Sequence, residues 1–184
     1  GLRPVVAVYS TFAQRSIDGV IHDIALQKLP VLICLDRSGV VPGDGPTHHG
    51  VFDIALMRPI PNIVIMQPRT AAALARMLRT AITLPYPVVI RYPRSNAPYA
   101  DDPDDGALIP IGSARILESA ESPEVAIWTL GPEDEFSKKT AALLSEAGIS
   151  SVRVDARFAK PIDQQLLLSQ AKAGVKVFFT LEDG

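Results

Sequence analysis

The chain has 184 residues, 47% of them hydrophobic, and a formal charge of -2, the balance of a soluble globular protein of one or two domains. Lys and Arg are scattered without a basic block, which argues against a nucleic-acid partner, and no apolar run approaches the roughly 20 residues that span a bilayer. A single cysteine, Cys34, excludes an internal disulfide; within its apolar run it reads as a small core residue in a reducing compartment rather than as a nucleophile.

The first predicted strand is "VVAVYS" (Val5 to Ser10), and a helix follows from Gln14 to Leu29, with Ile17, Val20, Ile21, Ile24 and Leu29 at helical spacing. "VLICLD" (Val31 to Asp36) is the second strand. The next stretch, "DRSGVVPGDGPTHHGVFD" (Asp36 to Asp53), is too rich in Gly, Pro and Asp for strand or helix and reads as a long surface loop. Loops longer than about 12 residues in compact domains are often functional. "IVIM" (Ile63 to Met66), a helix from Thr70 to Leu84, and "VVIRY" (Val88 to Tyr92) complete an alternation of strands and helices. Continuous rather than alternating apolarity in the strands predicts a parallel sheet with helices on both faces, an α/β fold.

At "SNAPYADDPDDGALIP" (Ser95 to Pro110) prolines and acids displace apolar residues, marking a linker. Beyond it come "VAIWTLG" from Val125, a helix from about Glu133 to Gly148, "VRVDARF" from Val152, a helix from about Asp163 to Gly174, and "KVFFTLEDG". These form a second, smaller βαβαβ unit. The chain opens just ahead of one strand and closes just after another, so a piece of a longer polypeptide is expected.

Ligands of open parallel sheets bind beyond the carboxyl ends of the strands. Three such ends carry polar groups: Tyr9 to Arg15, Arg37 with the long loop, and "RYPRSN" from Arg91 to Asn96. A lone arginine there more often pairs with an acid such as Asp36 or Asp101. Two arginines, Arg37 and Arg94, at one sheet edge with the Tyr9 hydroxyl suggest a pocket for phosphate or carboxylate. The loop carries His48 and His49, a residue type able to shuttle protons, and Asp44 lies four residues from His48, where an acid could orient it or a substrate. Adjacent histidines lack the spacing of a helical zinc pair, so no metal site is read here. "GDG" at Gly43 to Gly45 lacks the GK[ST] of a P-loop.

"VYSTFAQR" (Val8 to Arg15), "DRSGVVPGDGPTHHG" (Asp36 to Gly50), "IRYPRSNA" (Ile90 to Ala97) and "RFAKPID" (Arg157 to Asp163) together resemble the 1-deoxy-D-xylulose-5-phosphate synthase family, transketolase-like enzymes dependent on thiamine diphosphate. The resemblance runs in order from the first residues to "LEDG". It implies a transferase condensing pyruvate with D-glyceraldehyde 3-phosphate, with loss of carbon dioxide, for isoprenoid, thiamine and pyridoxal synthesis. It also implies a pyrimidine-binding domain over residues 1–97, lacking its N-terminal part, a linker over 98–110, and the start of a transketolase C-terminal domain over 111–184. Homodimerisation and a bacterial cytoplasmic or plastid setting are implied as well.

Position by position, Phe12 matches the aromatic residue that stacks on the cofactor's aminopyrimidine, and Arg15 an arginine beside it. Tyr9, Arg37 and Arg94 match residues holding the acceptor's phosphate; Asp44 and His48 match a catalytic polar pair near the reacting carbons. His49 stands where relatives often carry Gln and receives no role. The family's activating glutamate, in an "AEQH"-like motif, belongs ahead of Gly1, and the ligands of magnesium and diphosphate belong to a separate N-terminal domain. The chain alone is therefore expected to be inactive. "DGPTH" also occurs in transketolase itself, so that enzyme, or a non-catalytic phosphometabolite-binding or dimerisation module, stays open.

Overall fold

A computed structural model describes residues 1–95 and 106–184. The elements run, in chain order, β1 (Val5–Tyr9), α1 (Ser10–Ala13), α2 (Ile17–Gly19), β2 (Leu32–Asp36), α3 (Asp53–Met57), β3 (Val64–Met66), α4 (Ala71–Thr83), β4 (Val88–Tyr92), β5 (Arg115–Ser119), β6 (Val125–Thr129), α5 (Asp134–Glu146), β7 (Ser151–Asp155), β8 (Phe158–Lys160), α6 (Gln164–Lys172) and β9 (Val177–Leu181). The residues from Ser10 to Ala25 form one helical run, with a 3₁₀ turn at Gln14–Ser16 and a π-helical stretch at Val20–Ala25.

Two sheets result. The first has the order β1-β2-β4-β3-β8; β1, β2, β4 and β3 are parallel, and β8 is antiparallel to β3. One face is covered by the first helical run and α3, whose Val20, Ala25 and Met57 pack on Ile33, Leu35 and Val89. The other is covered by α4, whose Met77 and Ala81 pack with Cys34, Met66, Ile90 and Phe158. Full burial of such side chains contributes about 1.5–3 kcal/mol each. The expected parallel sheet with helices on both faces is thus present, and burial of Cys34 raises its thiol pKa, in keeping with a core residue.

The second sheet has the order β5-β7-β6-β9, with β7, β6 and β9 parallel and β5 antiparallel to β7. Its βαβαβ core follows the expected boundaries closely. The sequence reading missed β5, α3 and the separation of "VRVDARF" into two strands. Arg157, at φ 58°, breaks that run, so that Phe158–Lys160 leaves the second lobe and joins the first sheet.

One expectation needs correction. The sequence predicts β1 as a buried strand, yet Val5 is 57% and Val6 45% exposed, because among the described residues β1 is the outer strand of the sheet and pairs with β2 alone. Most of the segment expected as a linker, from residue 98 to 105, lies outside the described residues, as does Asp101. Past it, Ile109 is buried in the first lobe's core and its amide donates to Thr80 Oγ1 at 2.9 Å.

Candidate functional site

β1, β2 and β4 are parallel, so their carboxyl ends lie together and the segments after them converge. Tyr9 ends β1, and Phe12 follows in α1. Arg37 follows β2 directly with φ 57°. A side-chain-bearing residue in that left-handed region costs of order 1–3 kcal/mol. The Arg37 amide offsets this by donating to Asp36 Oδ1 at 2.7 Å. Arg94 follows β4.

The structure brings six of the seven candidate residues into one chain of contacts. His48 meets the Phe12 ring edge-on at 5.8 Å between centroids, and Phe12 stacks on Tyr9 at 5.5 Å with 10° between planes. The Arg37 guanidinium lies 3.8 Å from the centroid of the Tyr9 ring, a cation–π arrangement. Its Nε donates to Asp44 Oδ2 at 3.1 Å and its Nη1 to Asp36 Oδ2 at 2.6 Å. Arg94 Nη1 donates to the other oxygen of Asp44. Arg15 stays exposed on the 3₁₀ turn and stands apart from this sequence of contacts.

Asp44 and His48 therefore face different neighbours. Asp44 is held between two guanidinia, and their hydrogen bonds, Arg94's first, lower its pKa below the ordinary carboxylate range. Such a carboxylate is a weak base and stays ionised. His48 turns to Phe12, with Nδ1 3.0 Å from Thr47 Oγ1. Thr11 Oγ1 donates to Thr47 O at 3.0 Å, tying α1 to the turn Pro46–His48. His49, given no role above, accepts the Val41 amide on Nδ1 at 3.0 Å and so shapes the loop.

The exposed ring of Phe12, 42% accessible beside His48, fits the flat face of a heteroaromatic ring. Among the described residues no group of three or more His, Cys, Asp or Glu could hold a metal ion, and no helix is long and apolar enough to cross a membrane. What the sequence reading missed lies below the loop: the buried Asp53, Gln67 and Arg91 form a polar cluster with the partly exposed Asp183. Arg91 and Asp183 are separated by 92 positions in the sequence, and no local pattern links them.

Residues 1–99 match the family described as transketolase, pyrimidine binding domain. The chain belongs to that family. The similarity of this pyrimidine-binding domain and the residues after it to 1-deoxy-D-xylulose-5-phosphate synthases covers the whole chain. Identity is 49% with the enzyme of Gloeobacter violaceus and 46% with that of Synechococcus elongatus. The chain spans 29% of the length of either relative. A solved chain described as a split gene transketolase, inactive beta4 tetramer, superposes with a TM-score of 0.87 at 30% identity, covering 99% of this chain and 58% of that one.

Proposed function

We propose that the polypeptide containing this chain condenses pyruvate with D-glyceraldehyde 3-phosphate to 1-deoxy-D-xylulose 5-phosphate and carbon dioxide, for isoprenoid, thiamine and pyridoxal synthesis. The observation that carries the reading is the convergence of Arg37 and Arg94 on one carboxylate beside Tyr9, at the carboxyl ends of three parallel strands. Two guanidinium forks that hold a carboxylate also match the oxygens of a phosphate in charge and geometry.

In this reading Arg37, Arg94 and the Tyr9 hydroxyl bind the acceptor's phosphate, and Asp44 keeps both arginines aimed when the phosphate is away. His48, anchored through Nδ1 to Thr47, exchanges protons with a substrate oxygen through Nε2. Phe12 holds the aminopyrimidine of thiamine diphosphate, and Arg15 lies beside it. Thiamine diphosphate, when bound, supplies the electron sink for carbon–carbon bond cleavage and formation. Magnesium and the diphosphate are held by residues outside this chain.

We further assign residues 1–97 to the pyrimidine-binding domain and 111–184 to the beginning of a transketolase C-terminal domain. The working assembly is a homodimer in the bacterial cytoplasm; the bacterial source of the relatives supports that setting. The chain alone has no turnover, a reading supported by the description of the split gene transketolase chain as inactive. That same neighbour favours transketolase as the second reading.

The test is carbon dioxide release from pyruvate in the presence of glyceraldehyde 3-phosphate, thiamine diphosphate and magnesium, with this chain alone and within its full-length polypeptide. Release by the full-length polypeptide only is expected. A folded full-length protein that instead transfers a two-carbon unit between sugar phosphates, without carbon dioxide release, would establish the transketolase reading.

A further inference from the structure

Beneath the loop that carries Asp44 and His48 lies an arginine the site does not use. Arg91, in β4, is fully buried. A buried guanidinium is tolerated only where carboxylates and carbonyls saturate it. Its Nε donates to Asp53, 3.1 Å from Oδ1 and 3.2 Å from Oδ2. Its Nη1 donates to Gln67 Oε1 at 2.5 Å and to Asp183 Oδ1 at 3.2 Å. Nη2 reaches Gly50 O at 3.5 Å. Asp53 also accepts from Ser10 Oγ at 2.8 Å, and Asp183 from Gln67 Nε2 at 3.2 Å.

Asp53 already neutralises Arg91, so the charge of Asp183 is not needed for that purpose. Its location gives it a different task. Gly39 and Gly50 exchange backbone hydrogen bonds at 2.9 and 2.8 Å, closing the residues between them into a ring that holds Asp44 and His48. The Asp183 carboxylate presses on the base of that ring: a Cβ at Gly39 would come 1.8 Å from its Oδ2. Gly184 packs, less tightly, on the other member of the pair: a Cβ on Gly184 would lie 3.2 Å from Gly50 O. The segment reaches this place from β9 of the second lobe, anchored by the Leu130 amide donating to Leu181 O at 2.9 Å.

We infer that Asp183 is a positioning residue, an ionic latch through which the second lobe fixes the ring Gly39–Gly50 and, with it, Asp44 and His48. The inference deepens the functional reading above, since the loop matters to catalysis only if it is the site. A second lobe that loses this latch leaves the base of the ring held by the Gly39–Gly50 pair and the first lobe's own contacts, Thr11 with Thr47 and Arg94 with Asp44, while Arg91 stays with Asp53 and Gln67.

The test is amide hydrogen exchange on this chain with Asp183→Asn, a near-isosteric change that removes the charge. A second variant, the chain ending at Leu181, removes the latch without touching any strand or helix. Exchange at Gly39 and Gly50 is expected to rise about tenfold, as for a local opening, while Ala126 and Val154 in the second sheet keep their protection. Unchanged exchange at the two glycines in both variants overturns the inference. So does an equal rise across both sheets, which would mark Asp183 as a general stabiliser. In parallel, inorganic phosphate serves as the probe of Arg37 and Arg94, and Asp183→Asn is expected to weaken its binding severalfold. Looser glycines in the variants, together with no phosphate binding by the unsubstituted chain, would uphold the latch and remove the phosphate reading of the site.

Discussion

Asp44 decides much of the chemistry available to the site, because one carboxylate engages both arginines. Its pKa is lowered, first by the Arg94 hydrogen bond and then by that of Arg37. A carboxyl group whose folded pKa lies below its unfolded value contributes its full effect above the ordinary carboxylate range, near pH 4. The contribution is lost as pH falls through the lowered value. Arg94→Ala should therefore raise the pKa of Asp44, measurable by titrating its carboxyl carbon by NMR, because the first of its two clamps is gone. Under the proposed function, the same substitution in the full-length polypeptide should raise the apparent KM for glyceraldehyde 3-phosphate roughly 10- to 100-fold, the loss expected for a hydrogen bond to a charged group. Pyruvate should be handled nearly as before. Equal effects on the two substrates would place Arg94 outside the phosphate contact.

At the scale of elements, legibility in the sequence followed burial and locality. β2, β4 and β6 are buried along nearly their whole length, so unbroken apolar runs marked them. β5 is an edge strand of mixed polarity, Arg115–Ser119, and left no such run. β1 is apolar yet exposed, since a run of valines does not say whether both flanks of a strand are occupied. α3 is a single short turn behind the loop, five residues long. The starts of α4 and α6 are set by side-chain caps: Thr70 Oγ1 accepts the Ala73 amide at 3.1 Å, and Asp163 Oδ1 the Leu166 amide at 2.9 Å. Asp163 does more than cap, because its Oδ2 accepts the Ala114 amide at 2.9 Å and pins the chain ahead of β5. Asp163→Ala should destabilise by about 1–3 kcal/mol, a cap and a further amide bond lost together. Asp163→Asn should cost less. Urea denaturation with an unchanged m-value would report it, and a cost no larger than an exposed substitution would deny the double role.

The site's two halves were also unequally legible. Arg37, Arg94 and Tyr9 share strand ends and could be grouped before any coordinates, whereas Arg91 looks like one more residue of a strand until Asp183 arrives from the other lobe. That second kind of contact holds the whole molecule together. β8 completes the first sheet from within the second lobe's sequence, and the Gln67 amide donates to Arg157 O at 3.0 Å beside it. Next to this seam, Arg69 of the first lobe donates to Asp134 Oδ2 at 3.0 Å, while Arg153 of the second lobe holds the other oxygen of the same carboxylate. The three side chains are at most 10% exposed. Replacing both charges of a buried pair by apolar groups can be nearly neutral, but removing one partner leaves the other charge without its match, at a cost of about 3–5 kcal/mol. Asp134→Ala does this to two guanidinia at once, although Arg69 keeps Asp155 at 3.9 Å and Arg153 keeps Glu118 at 3.0 Å. The loss should fall in that range and leave a single unfolding transition, because β8 still laces the lobes into one sheet. Two separate transitions in calorimetry of the variant would show that Asp134, rather than the shared sheet, makes the lobes fold as one.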